Sequence, residues 1–225
     1  EASASMVRQK YERKEREKQT ETLRGGRALP MDSAAEAAAT FMFRGSVSAC
    51  FEDHLAEYVE LEAKQLNEQL ELAIRNETWA GDETNVKILS SATSVFLNIK
   101  KVFKRCSTLT RGKTLYTIHT VFTQLLINYA RALSMRLAAA TTSAVDTRRT
   151  EDQRAAELKC VSLIVNTAEY CNETIGPLGE SMAKALEESF KDKVDMDDVE
   201  DAFSATLSEA LNKLIAIVEM KSNLM

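Results

Sequence analysis

The stretch from Ile88 to Cys106 reads ILSSATSVFLNIKKVFKRC, and its apolar residues return at alternating intervals of four and three. At 3.6 residues per turn, this spacing places them on one face of an α-helix. Such a face is stable when it is buried, so the stretch predicts a helix that packs against other helices. The residues of this stripe are Ile88, Ala92, Val95, Ile99, Val102 and Cys106.

Similar stripes recur along the chain, and no segment alternates convincingly with the two-residue period of a β-strand. Two prolines and seven glycines in 225 residues leave few positions that interrupt a helix. Because successive helices with short connections pack antiparallel, we expect an all-α fold, an antiparallel helical bundle. The further stripes are Leu115, Ile118, Phe122, Leu125, Tyr129 and Ala132; Leu158, Val161, Val165 and Ala168; and Leu207, Leu211, Leu214 and Val218.

Glycine, proline and capping residues set the expected helix boundaries. We expect Gly176-Pro177 to bend or interrupt one helix, because proline lacks the N–H and clashes with the preceding turn. The helical segments are expected over 33–75, 87–107, 114–138, 150–175 with a continuation to about 191, and 198–220.

The composition fits a globular domain, with 44% hydrophobic and 28% charged residues. A net charge of −5 argues against nucleic acid as a partner. No apolar run approaches the roughly 18 residues of a transmembrane helix, and the charged start is unlike a signal peptide.

The chain divides into two parts by charge. Residues 1–28 hold eight Lys or Arg against five Glu, a net charge of +3, whereas the remainder is acidic. Residues 1–32 are therefore expected to be a charged arm or linker, with contact to nucleic acid or a membrane as the alternative. Residues 33–225 are expected to be a helical-bundle rod segment. Since the chain starts at Glu1 without Met and stops soon after a strong helix, we expect a fragment of a longer chain.

Neither the cysteines nor the histidines form a recognised catalytic or metal-binding pattern. Cys50 and His54 are four residues apart, but a Cys–His nucleophile also needs an orienting group and an oxyanion site. His119 has no ligand partner at zinc-site spacing. We therefore expect no enzyme activity, no cofactor and no metal, with Cys50, Cys106, Cys160 and Cys171 as buried thiols.

Gly112-Lys113-Thr114 matches the end of a phosphate-binding P-loop. That loop needs a glycine five positions before Gly112, where Ser107 stands, and a preceding strand, where a helix is expected. A turn between two helices, followed by a threonine cap, is the better interpretation.

A basic cluster at one helix end is the candidate surface for a partner or a membrane. Cations near a helix C-terminus interact favourably with the helix dipole, which explains part of the cluster without a function. The alternative is contact with an acidic partner or with anionic lipid headgroups. The candidate residues are Lys100, Lys101, Lys104, Arg105, Arg111 and Lys113.

An acidic counterpart follows later in the chain, and helix N-terminal preferences explain half of it. It could also contact a basic partner. Its residues are Glu187, Glu188, Asp192, Asp195, Asp197, Asp198, Glu200 and Asp201.

Several segments resemble the vacuolar protein sorting-associated protein 53 family. They are SVSACFEDHL at 46–55, YVE at 58–60, NTAEYC at 166–171 and KDKVD at 191–195, and the likeness extends from about Phe41 to Val218. These are packing and surface residues, so the strings are specific to the family but say nothing about mechanism.

The resemblance implies a non-enzymatic subunit of the Golgi-associated retrograde protein (GARP) and endosome-associated recycling protein (EARP) complexes, built as part of an elongated rod. It further implies capture of endosome-derived vesicles at the trans-Golgi network, promotion of SNARE pairing, and endosomal recycling. The implied partners are the sister subunits, SNARE proteins and small GTPases, and the implied location is cytoplasmic, peripheral on trans-Golgi network and endosome membranes. The rival hypothesis is a helical scaffold or adaptor that docks on anionic membrane through the basic helix end.

Overall fold

The computed structural model describes residue 51 and residues 54–79, 87–142 and 151–222. In these ranges every element of regular secondary structure is helical, which confirms the all-α prediction. The helices are α1 Ala56–Arg75, α2 Ser90–Leu109, α3 Lys113–Thr142, α4 Glu151–Ala185, the short α5 Glu188–Lys191, and α6 Asp197–Ser222.

The five long helices run alternately up and down, as predicted for an antiparallel bundle. Glu62 meets Arg105 near one end of the α1–α2 pair, and Glu77 meets Ser91 near the other. The α3 helix lies at the centre of the bundle and packs against α1, α2, α4 and α6. The α3 and α6 helices run parallel, because Thr123 contacts Met196 and the Leu137 carbonyl contacts Lys213. The α4 helix is antiparallel to both.

The α2 and α3 stripes form much of the core. Five of the six α2 stripe residues are buried, and Ile88, which precedes the helix, is partly buried. On α3, Phe122 and Tyr129 are completely buried, and the Tyr129 hydroxyl lies 2.7 Å from the Ser91 hydroxyl of α2. The stripes therefore predict these two packing faces correctly.

The α6 stripe is less buried than its spacing predicts. Leu211 and Val218 are exposed, and Ile215 beside them is exposed as well. The buried line of α6 instead passes through Phe203 and Ala210. At about 100° per residue, Leu211 lies roughly 80° round the helix from that line. Spacing alone cannot say which side of a broad apolar face turns inwards.

Pro177 does not interrupt α4, which continues through Gly176-Pro177 to Ala185. Of the two expected outcomes, the interruption is therefore wrong, and the bend stays a prediction. The helix does not continue to residue 191 either, because α5 is separate. Pro177 is exposed, so its ring lies away from the packed side. Its cost is the hydrogen bond that its nitrogen cannot donate to the Glu173 carbonyl.

The first described helix starts later than the long helical region that was expected. His54 donates its backbone N–H to the Phe51 carbonyl across a tight turn (2.9 Å), and α1 begins at Ala56. Residues 1–50, which include the charged arm and Cys50, lie outside the described residues. The boundary between 1–32 and 33–225 stays a prediction. Among the described helices, none is long and apolar enough to cross a membrane.

Candidate interaction surfaces

The structure divides the basic cluster into three groups with different surroundings. Lys100, Lys101 and Lys104 are exposed on α2. Within the described part of the chain, none of the three makes an ion pair or a side-chain hydrogen bond.

Arg105 has a structural role instead. One of its guanidinium nitrogens, Nη2, donates to both carboxylate oxygens of Glu62 on α1, at 2.8 and 2.7 Å. The Glu62 side chain is 6% exposed, whereas that of Arg105 is 57% exposed. A carboxylate this deeply buried needs a counterion, so Arg105 joins α1 to α2 and is not a free surface cation.

Tyr58 lies beside this ion pair. Its hydroxyl oxygen is buried without a hydrogen bond of good geometry. Burial, followed by the neighbouring Glu62 carboxylate, raises the pKa of Tyr58 to about 12. The phenol is therefore neutral at physiological pH.

Arg111 and Lys113 lie where α2 connects to α3, next to the acidic residues. The Arg111 carbonyl accepts a hydrogen bond from the backbone N–H of Glu187 at 2.9 Å. Further along, an Asp195 carboxylate oxygen accepts from the Asp197 N–H at 2.8 Å and caps α6. Cationic and anionic groups thus share one end of the bundle, which the sequence did not reveal.

Gly112-Lys113-Thr114 spans the end of a turn between two helices, as predicted, and the start of the second helix. The Gly112 N–H donates to the Thr110 hydroxyl at 3.1 Å, and α3 begins at Lys113. Thr114 therefore lies inside the helix and not at its cap. The preceding element is α2 and not a strand.

The two described histidines differ in burial, and the described cysteines are all buried. His54 is exposed, whereas His119 is buried and stacks on Tyr116 with 5.9 Å between ring centroids. Burial lowers the pKa of His119 and raises the pKa of Cys171. Cys106 and Cys160 are also buried, and neither belongs to a disulfide. Among the described residues, no group of three His, Cys, Asp or Glu could hold a metal ion.

Two buried carboxylates, those of Glu62 and Glu77, were not predicted from the sequence. Glu62 falls between Val59 and Leu66 at intervals of three and four, so its position in the apolar line of α1 was a usable signal. Glu77 accepts hydrogen bonds from the Ser91 N–H at 2.6 Å and the Ser90 hydroxyl, and it caps α2. It lies between two helices, where no periodicity points to it.

The chain is similar to two curated proteins of Arabidopsis thaliana. It is 37% identical to vacuolar protein sorting-associated protein 53 A over 96% of this chain and 27% of that protein. It is 46% identical to vacuolar protein sorting-associated protein 53 B over 43 residues, which are 19% of this chain and 8% of that protein. The chain thus spans about a quarter of the length of the first relative. No family model matches it, and no solved structure matches it.

Proposed function

We propose that the chain belongs, over the stretch that aligns, to the vacuolar protein sorting-associated protein 53 family, and that it works as a non-enzymatic subunit of a vesicle-tethering complex. The observation that carries the proposal is the similarity across 96% of the chain, because a match of that extent covers the whole bundle and not one short motif.

The complexes that we propose are GARP and EARP. In them the chain would act in endosome-to-Golgi retrograde transport and endosomal recycling, on the cytoplasmic side of trans-Golgi network and endosome membranes. It would help to capture endosome-derived vesicles and promote SNARE pairing, with sister subunits, SNARE proteins and small GTPases as partners.

The fold supports a mechanism based on surfaces. Antiparallel helices can stack into elongated bundles, and such a rod presents separate contact surfaces at a distance. Several weak contacts to a vesicle, a SNARE and an acceptor membrane then combine through effective concentration. This mechanism needs no catalytic cluster.

The test is a rescue experiment in cells depleted of the protein. We expect depletion to leave a retrograde cargo receptor in endosomes, and the wild-type protein to return it to the trans-Golgi network. Ile99→Asp, which should disrupt the bundle, should fail to rescue, whereas Lys64→Glu, on the exposed side of α1, should succeed. Normal cargo distribution after depletion would contradict the proposed function.

A second candidate function is a helical adaptor that docks directly on anionic membrane. The observation that favours it is the group of three exposed lysines on α2, which make no ion pair with any residue that the structure describes, together with Arg111 and Lys113. Flotation of the purified chain with vesicles of 30% phosphatidylserine tests it. Salt-sensitive flotation that disappears when Lys100, Lys101 and Lys104 are changed to Glu would support the adaptor, and absence of flotation would exclude it.

A further inference from the structure

The outer side of α2 is a surface with a distinct chemical character, which we call the α2 face: Leu97, Lys100, Lys101 and Lys104. We infer that the α2 face is a docking surface for an acidic amphipathic helix of a partner protein. The inference rests on the proposed function, since a subunit of a tethering complex must bind other proteins.

The four residues share one side of the helix because they are spaced at i, i+3, i+4 and i+7. Together they cover about 10 Å of helix length at 1.5 Å per residue. Leu97 is 51% exposed, so an apolar side chain is presented at one end of a basic strip. A partner helix with one apolar residue and carboxylates on the following turns would match this arrangement.

The positive charge of the α2 face is not neutralised along its own helix. Elsewhere Lys64, Lys184, Lys191 and Lys213 each pair with a glutamate three or four residues away. The 20 residues of α2 include no Asp or Glu, although the whole chain has 34 acidic residues against 29 basic ones. A helix without carboxylates in an acidic chain leaves its lysines available for carboxylates supplied by a partner.

A helix fits the α2 face better than a membrane does. Three lysines fall short of the clusters of about four to eight basic residues that are typical of binding to anionic lipid. Arg105 adds little, because it is paired with Glu62. The α2 face is also a single ridge of one helix, about 10 Å long, which is a footprint of the size that one partner helix covers.

The contact should be weak and sensitive to salt. Exposed Lys–carboxylate pairs contribute less than about 1 kcal/mol each, and screening is strong beyond about 8 Å at physiological ionic strength. Such an interaction is effective as one of several contacts within a complex, where linkage raises its effective concentration.

A photo-crosslinking experiment tests the docking surface in the assembled protein. Leu97 is replaced by p-benzoylphenylalanine in the tagged protein in cells, and the crosslinked peptide is sequenced by mass spectrometry. The control replaces Ile215 on α6, which is 54% exposed. We expect Leu97 to crosslink to a protein segment with net negative charge and helix-spaced apolar residues, and Ile215 not to crosslink to that segment.

Charge reversal then tests the lysines. Lys100→Glu, Lys101→Glu and Lys104→Glu combined should reduce the Leu97 crosslink at least tenfold. A matched variant, Lys64→Glu, Lys87→Glu and Lys184→Glu, changes the net charge equally at exposed positions away from the α2 face and should leave the crosslink intact. A synthetic peptide of the crosslinked segment should bind the purified chain more weakly as salt rises.

Four results would overturn the docking surface: no crosslink from Leu97 to an acidic segment, crosslinks to lipid, crosslinks to a neutral or basic segment, or equal loss with both triple variants. Failure of the proposed function looks different. If the acidic segment belongs to a protein that is not a tethering subunit, the docking surface stands and the proposed function fails. If the tethering subunits co-purify but Leu97 crosslinks to no acidic segment, the proposed function stands and the docking surface fails.

Discussion

Glu62 is a buried carboxylate whose charge is balanced across the α1–α2 contact by Arg105. Removing the guanidinium leaves that carboxylate buried without its charge partner, which is costly. We expect Arg105→Ala to lower the free energy of unfolding by about 1–3 kcal/mol, with the lower part of the range favoured because Arg105 is half exposed. Urea denaturation measures the change.

The neighbouring Lys104→Ala is the matched control for that experiment. Lys104 is exposed on the same turn of α2 without an ion pair to any described residue, so we expect a change within about 0.5 kcal/mol. Equal destabilisation by the two variants would show that the Glu62–Arg105 contact contributes nothing specific.

His119 makes the stability of the bundle depend on pH. Burial lowers its pKa below the ordinary 6.5, with Asp195 opposing part of the shift. The unfolded chain therefore takes up a proton below about pH 6.5 that the folded chain does not. His119 thus contributes its full stability above that pH, and the contribution falls as the pH drops from 6.5 towards the folded-state pKa.

When the pH is lowered from 7.5 to 5.5, we expect the free energy of unfolding to fall less for His119→Phe than for the wild type. The midpoints of urea denaturation measure this difference. Phenylalanine keeps a ring against Tyr116 and does not titrate, and the exposed His54 is the same in both proteins. An identical pH-dependent loss in both proteins would mean that His119 is not responsible.

The two sides of α2 should respond differently to a new negative charge. Ile99 is completely buried, so Ile99→Asp places an unpaired carboxylate in the core and should destabilise the bundle by more than about 4 kcal/mol. Lys101→Glu, on the exposed side, should change stability by less than about 0.5 kcal/mol. Circular dichroism gives helicity and melting temperature, and equal values for the two variants would contradict the assignment of the faces.

Two residues in the middle of α4 are replaceable without loss of packing. No atom lies within 4 Å of the Cβ position that alanine would add at Gly176, and Pro177 is exposed. We expect Gly176→Ala to stabilise the bundle by about 0.5–1 kcal/mol, and Pro177→Ala by about 1–3 kcal/mol, because it restores a donor to the Glu173 carbonyl.

Gly179→Ala is the comparison for those two variants. Its Cβ would lie 3.2 Å from Cγ of Met196, so the gain in helix propensity is offset by crowding. Thermal melting should rank Gly179→Ala below Gly176→Ala. A lower melting temperature for Pro177→Ala than for the wild type would mean that the proline shapes a contact that α4 needs.

Periodicity was sufficient to predict the α2 and α3 packing faces because most of their apolar residues lie on one side, with Leu97 of α2 and Met135 of α3 among the exceptions. It was insufficient for α6, where Leu211 and Val218 belong to a broad apolar face that turns only partly inwards. Gly176-Pro177 is expected to bend or interrupt α4, and the helix continues through it, because the packing along the rest of this 35-residue helix outweighs one missing hydrogen bond.

The packing of the whole bundle determines which basic side chains form ion pairs, and the local sequence cannot predict this. Lys104 and Arg105 are neighbours in a basic run, yet one is unpaired among the described residues and the other neutralises Glu62, which lies 43 positions earlier. The proximity of Arg111 to Glu187 likewise depends on how α2, α3 and α4 fold back on one another. Sequence could predict the basic residues but not the four-residue α2 face.

As a whole molecule, the chain is proposed to act within a complex and not alone. The measurement that tests this most directly is affinity purification of the tagged protein under gentle lysis, with quantitative mass spectrometry of the proteins that co-purify. We predict the other subunits of the retrograde and recycling tethers in amounts comparable to the tagged protein. Recovery of the tagged protein without any of them would contradict the account.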